Sequence, residues 1–289
     1  MLYAGIDIGG MNIKMGLVDE NGNIVVSNSI KTDCEKSISQ IIDDMVSNVK
    51  VLCAKIGVEV ASLEGIGCGV PGVADSQKGI VTAAANIGWY NVELAKEMTD
   101  RLGLPCKIGN DANCAASGEQ MFGSAKQYKS VVFITLGTGV GSGIIIDNKL
   151  VEGEGSAGAE CGHITIVYNG EKCNCGKRGC WERYASATAL MQQTARAIEQ
   201  NPTCFMSELA QKQGKISGRT AFEAAENGDK VAKAVVEQYV EYVAAGIISL
   251  GCVLHPQAFI IGGGISHEGD ALMIPLKQKV DAYTEVSKF

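Results

Sequence analysis

The sequence predicts two α/β domains facing a cleft, and three observations carry that prediction. At 289 residues the chain exceeds the usual size of one domain. A pattern of three short strands followed by helix runs twice, once from the N-terminus and again beyond Phe122. Hydrophobic residues make up 46% and charged residues 20%, with 36 glycines against five prolines, which describes a folded chain with many tight turns rather than a disordered one. No low-complexity linker separates the halves, and the division is placed between residues 118 and 119, giving domains 1–118 and 119–289.

The first half opens with "YAGIDIG", "IKMGLVDE" and "IVVSNSI", three strands separated by Gly and Asn turns. A long amphipathic helix follows from about Glu35 to Lys55. "LEGIGCGVPG" reads as a buried strand ending in a Gly-Pro turn, "VELAKEMTDRLG" as a helix stopped by Gly103, and "PCKIGN" as another strand leading into the helical "ANCAASGE". In the second half "SVVFITLG" and "GSGIIIDN" form a strand pair, with "KLVEGE" as a third strand. Helices are expected over Ala185 to Glu199, Thr220 to Asn227 and Lys230 to Leu254, and "AFIIGG" is the last strand.

Composition excludes several classes of partner. A net charge of −7 without a basic stripe gives no electrostatic support for nucleic acid. No stretch approaches the apolar length of a membrane span, and "MLYAGIDIGG" carries neither a basic leader nor a cleavage signal, so the expectation is a cytoplasmic protein with no membrane partner. The eleven cysteines are therefore read as reduced. Cys34, Cys53, Cys68, Cys106, Cys114, Cys204 and Cys252 stand singly, as small buried apolar residues. Three more cysteines and a histidine crowd "GHITIVYNGEKCNCGKRGC", which raises the question of a metal. Cys161 lies close by, but its spacing to His163 suggests the opposite face of a strand.

Phosphate chemistry is suggested by two turns. "DIGGMNIKMG", from Asp7 to Gly16, places Gly9 and Gly10 between the first two strands, with Met11, Asn12 and Lys14 following. A backbone without Cβ atoms can approach a phosphate closely and present its N–H groups. "LGTGVGSGI" repeats the arrangement with Gly137, Thr138 and Gly139, the threonine adding a hydroxyl. Either turn alone is as well read as an ordinary glycine-rich hairpin. There is no GxxxxGK[ST] loop, and the GxGxxG-like spacing lies between strands, so a dinucleotide fold is not indicated. Two such turns in equivalent positions of facing halves would cradle one triphosphate from both sides. "IIGGGIS", with Gly262, Gly263 and Gly264, is a third glycine turn placed to admit a flat base.

The paired turns, "GVPG", "GNDAN" and the Cys-x-Cys-Gly-x-x-Gly-Cys run closely resemble the ROK family, especially its bacterial sugar kinases of the glucokinase type. Leu136 to His163 fits the family signature, with Gly139, Gly141, Gly143, Gly153 and Gly162 in register, and the resemblance covers nearly the whole chain. It implies two actin-like, ribonuclease-H-like domains of the hexokinase-type fold, with ATP and sugar meeting in the cleft. By the same resemblance Asp111 matches the catalytic base, which would take the proton of a sugar hydroxyl as its oxygen attacks the γ-phosphorus. Asp and Asn just before a helix are commonly N-caps, so the residues alone leave that role open. Asp7 matches the acidic residue near Mg²⁺ and the phosphates.

His163, Cys173, Cys175 and Cys180 match the family's zinc ligands, and three thiolates plus one imidazole fill a tetrahedral site, which makes the zinc structural. Glu160 and Glu182 flank these ligands and match acceptors of sugar hydroxyls, together with Asn86, Asn110 and the second ring nitrogen of His163. Lys172, Lys177 and Arg178 read as a solvated loop face. The leading function is ATP-dependent phosphorylation of a hexose, glucose first, at its primary hydroxyl. An N-acetylmannosamine or N-acetylglucosamine kinase, or a sugar-binding protein with weak kinase activity, are the alternatives. A repressor is disfavoured because the first phosphate strand begins at Leu2, without room for a DNA-binding region ahead of it. The resemblance also implies a homodimer. Met11 stands where the family usually carries Thr, and the resemblance leads one to expect a further terminal segment, which in relatives helps close the fold, beyond Phe289.

Overall fold

The computed structural model describes residues 1–283, and by mutual contacts the chain forms two compact units. The first contains Met1–Gln127 and Leu150–Ala159. Its elements are β1 (Leu2–Ile8), β2 (Asn12–Asp19), β3 (Ile24–Lys31), α1 (Ile38–Lys55), β4 (Ile66–Val70), β5 (Val73–Asp75), β6 (Ile80–Ala84), β7 (Trp89–Val92), α2 (Leu94–Leu102), β8 (Cys106–Asn110) and α3 (Asp111–Met121). The main sheet runs β3-β2-β1-β4-β8, antiparallel among the first three strands and parallel from β1 to β8. Alternation sets its faces: Ala4, Ile6 and Ile8 on β1 and Ile13, Met15 and Leu17 on β2 are buried, while Asp7 and Lys14 face each other in register on the exposed side.

Helix α1 covers the buried face with Ile41, Ile42, Met45, Val49 and Leu52, spaced for one helical stripe. Burial of each such side chain stabilises by about 1.5–3 kcal/mol, so Met45→Ala would cost about 2–5 kcal/mol. The helix starts at Ile38 rather than near Glu35, because Ser37 and Gln40 close a capping box there. The separate three-stranded sheet β5-β6-β7 was not legible in the sequence, its strands being only three to five residues long. Helix α3 continues past residue 118 to Met121, and the contact division falls after Gln127.

The second unit holds Tyr128–Lys149 and the chain from Glu160 onward. Its elements are β9 (Val131–Leu136), β10 (Val140–Ile146), β11 (Lys149–Leu150), α4 (Glu182–Ala185), α5 (Ala187–Gln200), α6 (Phe205–Gln213), α7 (Thr220–Glu226), α8 (Lys230–Leu254), β12 (Ala258–Gly262) and α9 (Asp270–Tyr283). The sheet order is β11-β10-β9-β12, with β9 and β10 antiparallel and β12 parallel to β9. "KLVEGE" contributes only the two residues of β11, and Leu150–Ala159 belongs to the first unit. Helix α5 begins at Ala187, two residues after the expected start, because the Ser186 side chain caps it by accepting from Ala189 N–H. Helices α6 and α9 went unread. In α8 the Asp229 carboxylate accepts from Val231 and Ala232, and Tyr239, Val240, Val243 and Ile247 form the buried stripe. No helix of the described residues is long and apolar enough to cross a membrane.

Candidate functional site

The turn between β1 and β2 is set by its carbonyls. Gly9 N–H donates to Asn12 O at 3.0 Å, Thr32 Oγ1 donates to Gly9 O at 2.6 Å, and Thr32 N–H donates to Met11 O at 2.9 Å. A Cβ on Gly9 would lie 2.8 Å from Asn12 O, closer than side chains approach backbone, so this turn requires glycine. Among the described residues the N–H groups of Gly10 and Met11 have no partner. Met11 is 78% exposed, so its side chain takes no part in the core. Asp7 and Lys14 flank the turn with Nζ and Oδ2 3.9 Å apart, Asn12 is exposed at its far side, and the Asn86 amide nitrogen lies 3.6 Å from the point a Gly10 Cβ would occupy.

Asp111 sits where β8 passes into α3. The N-cap belongs to Asn110: its side-chain carbonyl accepts from Asn113 N–H at 3.1 Å and its amide donates to Gly72 O at 3.0 Å. Asp111 is thereby relieved of capping and accepts from the adjacent N–H of Ala112 at 2.8 Å, with the Asn110 side chain also favouring its ionised form. Surrounding protein desolvates this carboxylate and raises its pKa, the charge of Asp7 pushes the same way, and the Ala112 N–H opposes both. Cys114, like Cys34 and Cys252, is exposed rather than buried as expected, yet desolvation of its sulfur and then the carboxylates of Asp111, Asp7 and Glu152 push its thiol up to about 11.

The turn between β9 and β10 repeats the arrangement of the first. Gly137 N–H donates to Gly139 O at 3.0 Å, Ala187 N–H donates to Gly137 O at 2.8 Å, and Thr188 Oγ1 donates to Thr138 O at 2.8 Å. The carbonyls of residues 137–139 are all engaged inside the protein, while the N–H groups of Thr138 and Gly139 have no partner among the described residues. Val140 N–H donates to Glu182 Oε2 at 3.2 Å. The third glycine turn packs on the end of β9: Gly263 has φ +85°, and a Cβ there would lie 2.6 Å from Leu136 N and O. Gly262 closes β12 and Gly264 borders open space.

The four proposed metal ligands do converge. The ligating atoms of His163, Cys173, Cys175 and Cys180 all lie within 4.8 Å of one another. His163 Nδ1 is 3.6 Å from Cys173 Sγ, and Cys175 Sγ is 3.6 Å from Cys180 Sγ. Metal–sulfur bonds of about 2.3 Å at tetrahedral angles place sulfur atoms about 3.8 Å apart, so the set fits zinc. The loop folds on itself through Cys173 N–H to Lys177 O at 2.9 Å and Gly176 N–H to Cys173 O at 3.0 Å. Gly179, at φ +76°, approaches Val167 O so closely that no Cβ could be accommodated. Two residues expected to be merely solvated have work inside the loop: Lys177 Nζ donates to His163 O and Arg178 to Gly170 O, each at 2.9 Å. Lys172 is exposed.

Trp181 fastens this loop to α8. Its indole is fully buried against Gly246 and donates from Nε1 to Tyr242 O at 2.7 Å. Cys161 lies outside the metal cluster as expected, but for a different reason: residues 161–163 form a turn of 3-10 helix rather than a strand, and Cys161 is buried with its N–H on Ser142 Oγ at 2.9 Å. Glu160 precedes that turn on the surface. Glu182 is half-buried, with Oε1 3.9 Å from Cys173 Sγ while Oε2 holds Val140. Sequence reasoning did not find Thr32, Thr188 or Trp181, since a threonine bound to a distant carbonyl leaves no local pattern. The arrangement offers two pairs of adjacent free N–H groups for anionic oxygens, and a carboxylate with a raised pKa able to accept a proton from a hydroxyl.

Known proteins resemble this chain along its full extent. Residues 3–287 match the profile of the ROK family. A glucokinase of Streptomyces coelicolor is 39% identical over 280 residues, covering 96% of this chain and 86% of the relative. A xylose repressor of Caldicellulosiruptor bescii is 30% identical, over 99% of this chain and 71% of its own length. The crystal structure of a ROK family glucokinase from Streptomyces griseus, in complex with glucose and AMPPNP, superposes with a TM-score of 0.84 at 35% identity, covering 98% of this chain and 89% of that one.

Proposed function

The chain belongs to the ROK family, with its two-domain actin-like fold, and on that premise we propose that it transfers the γ-phosphoryl group of ATP to the primary hydroxyl of glucose. The observation that carries the reading is the pair of turns in which Gly9, Met11 and residues 137–139 have their carbonyls engaged, while the N–H groups of Gly10, Met11, Thr138 and Gly139 have no partner among the described residues. Such groups bind phosphate oxygens without specific side chains. In this reading Gly9, Gly10, Met11 and Asn12 serve the phosphates from the first unit, with Asp7 beside Mg²⁺ and Lys14 as a neighbouring cation. In the second unit Gly137, Thr138 and Gly139 form the corresponding phosphate turn, and Gly262, Gly263 and Gly264 border the base. Held beside Asp7, Mg²⁺ would supply positive charge to offset that building on the phosphates during transfer.

Asp111 takes the proton of the glucose hydroxyl as its oxygen forms a bond to the γ-phosphorus and the bond from that phosphorus to ADP breaks. Glu160, Glu182, Asn86 and His163 hold the remaining hydroxyls. With Nδ1 turned to the cysteines, His163 keeps Nε2 for the sugar. Asn110 contributes chiefly by capping α3 and so fixing Asp111, because both ends of its amide are already engaged. Zinc at His163, Cys173, Cys175 and Cys180 would clamp the segments bearing Glu160 and Glu182 and take no part in the chemistry. A homodimer in the cytoplasm completes the proposal, the dimer being open to test by sedimentation. The enzymatic core is tested by following ADP release with ATP, Mg²⁺ and a panel of glucose, mannose, N-acetylglucosamine and N-acetylmannosamine. Glucose is expected to give the highest kcat/KM, and a preference for an N-acetylhexosamine would refute the substrate assignment.

A further inference from the structure

We propose that Thr32 and Thr188 are positioning residues that aim the two phosphate turns, an inference that rests on reading those turns as phosphate sites. A trans peptide is planar, so the C=O of one residue and the N–H of the next point in opposite directions and turn together. Holding Gly9 O therefore aims Gly10 N–H, and holding Thr138 O aims Gly139 N–H. In each case the hold is a threonine hydroxyl: Thr32 Oγ1 on Gly9 O at 2.6 Å and Thr188 Oγ1 on Thr138 O at 2.8 Å. Both N–H groups so aimed are without a partner among the described residues.

Glycine makes this restraint necessary. Peptides joined through Gly9, Gly10, Gly137 and Gly139 have wide conformational freedom, and rotation of one plane would present a carbonyl oxygen to a phosphate where an N–H is needed. The two threonines come from unrelated places, one just beyond the end of β3 and the other in the first turn of α5, 23 and 50 residues from the carbonyls they hold. Each turn has a second fastening: Thr32 also donates its N–H to Met11 O, and Ala187 N–H holds Gly137 O, aiming Thr138 N–H. The same device thus occurs once in each unit. Thr32 is buried, so its hydroxyl has little other use; Thr188 is half-buried and its removal leaves little cavity.

The test compares Thr188→Val, Thr188→Ser, Thr32→Val and Thr32→Ser in the full chain, with calorimetric affinities for AMPPNP, adenosine and glucose and a melting curve for each. The valine variants should bind AMPPNP roughly threefold to tenfold more weakly, with adenosine and glucose unchanged, and the serine variants should restore the parent value. Thr32→Val leaves a carbonyl unpaired near buried structure and is expected to melt earlier, so the Thr188 pair keeps the test independent of folding. Valine variants that bind AMPPNP as the parent does, equal losses for AMPPNP and adenosine, or serine variants no better than valine would each overturn the proposal while leaving the kinase reading intact. A parent that fails to bind AMPPNP removes the phosphate reading and the proposal with it.

Discussion

Replacing Asp111 by Asn separates catalysis from architecture. The substitution keeps an oxygen for the Ala112 N–H and leaves the cap of α3 untouched, because that cap is Asn110. It removes a charge that desolvation and Asp7 both disfavour. A carboxyl whose pKa is raised by folding costs stability in its ionised form, and that cost appears as pH rises through the raised value. At pH 7 the variant should therefore melt no lower than the parent and is expected to melt slightly higher. General base catalysis contributes about 10²–10⁴-fold, equivalent to about 2.7–5.4 kcal/mol of barrier, and turnover should fall by that factor. In the parent the acid limb of kcat/KM should lie above the ordinary aspartate range, since the base must be ionised, and it should vanish in the residual activity of the variant. The assay is ADP release at saturating glucose, beside calorimetric melting. A variant that melts early yet turns over at the parent rate would refute the assignment of the base.

Three further substitutions probe the supports of the site. Met11→Thr would add a hydroxyl at the tip of the first turn, and a hydrogen bond to a charged partner contributes about 1.5–3 kcal/mol, so kcat/KM for ATP should rise roughly tenfold or more, with glucose affinity unchanged; flat ATP kinetics would show that the position does not touch phosphate. Cys175→Ser should release the zinc, about one per chain by metal analysis of the parent. The sequence suggests that sugar binding then weakens before nucleotide binding, but Glu182 reaches both Cys173 and Val140, so glucose and AMPPNP affinities are expected to fall together; a zinc-free variant with parental glucose affinity would contradict the clamp. Gly246→Ala drives a methyl into the Trp181 indole and should cost about 1–3 kcal/mol of stability and loosen the metal loop, read by denaturant melting and by faster zinc loss to a chelator.

Much of the fold was legible because its elements repeat strong local signals. Alternation marks β1 and β2, and sustained apolar spacing from Lys230 to Leu254 marks α8. Boundaries slipped where a cap overrode periodicity, as at Ser37 and Ser186. The β5-β6-β7 sheet stayed hidden because strands this short carry too few alternations, α6 because Cys204 offers it no side-chain cap at the start, and α9 because Pro275 lies inside it. In the site, either glycine turn alone reads equally well as a hairpin, and the four metal ligands follow from the family resemblance; their convergence is what the structure adds. Which residue caps α3 could not, since Asn110 and Asp111 are chemically alike and only their backbone angles separate them. Thr32, Thr188 and the Trp181–Gly246 contact join residues far apart in the chain, and such pairs leave no trace in spacing.

Transfer of phosphorus from ATP to one particular oxygen of glucose can be followed directly. Phosphorus NMR of a reaction with equal ATP and glucose, in the presence of Mg²⁺, reports both products at once. ADP and glucose 6-phosphate should accumulate one for one, and neither should form at an appreciable rate with the Asp111→Asn variant. ADP with free phosphate and no sugar ester, or a sugar ester at another carbon, would contradict that transfer.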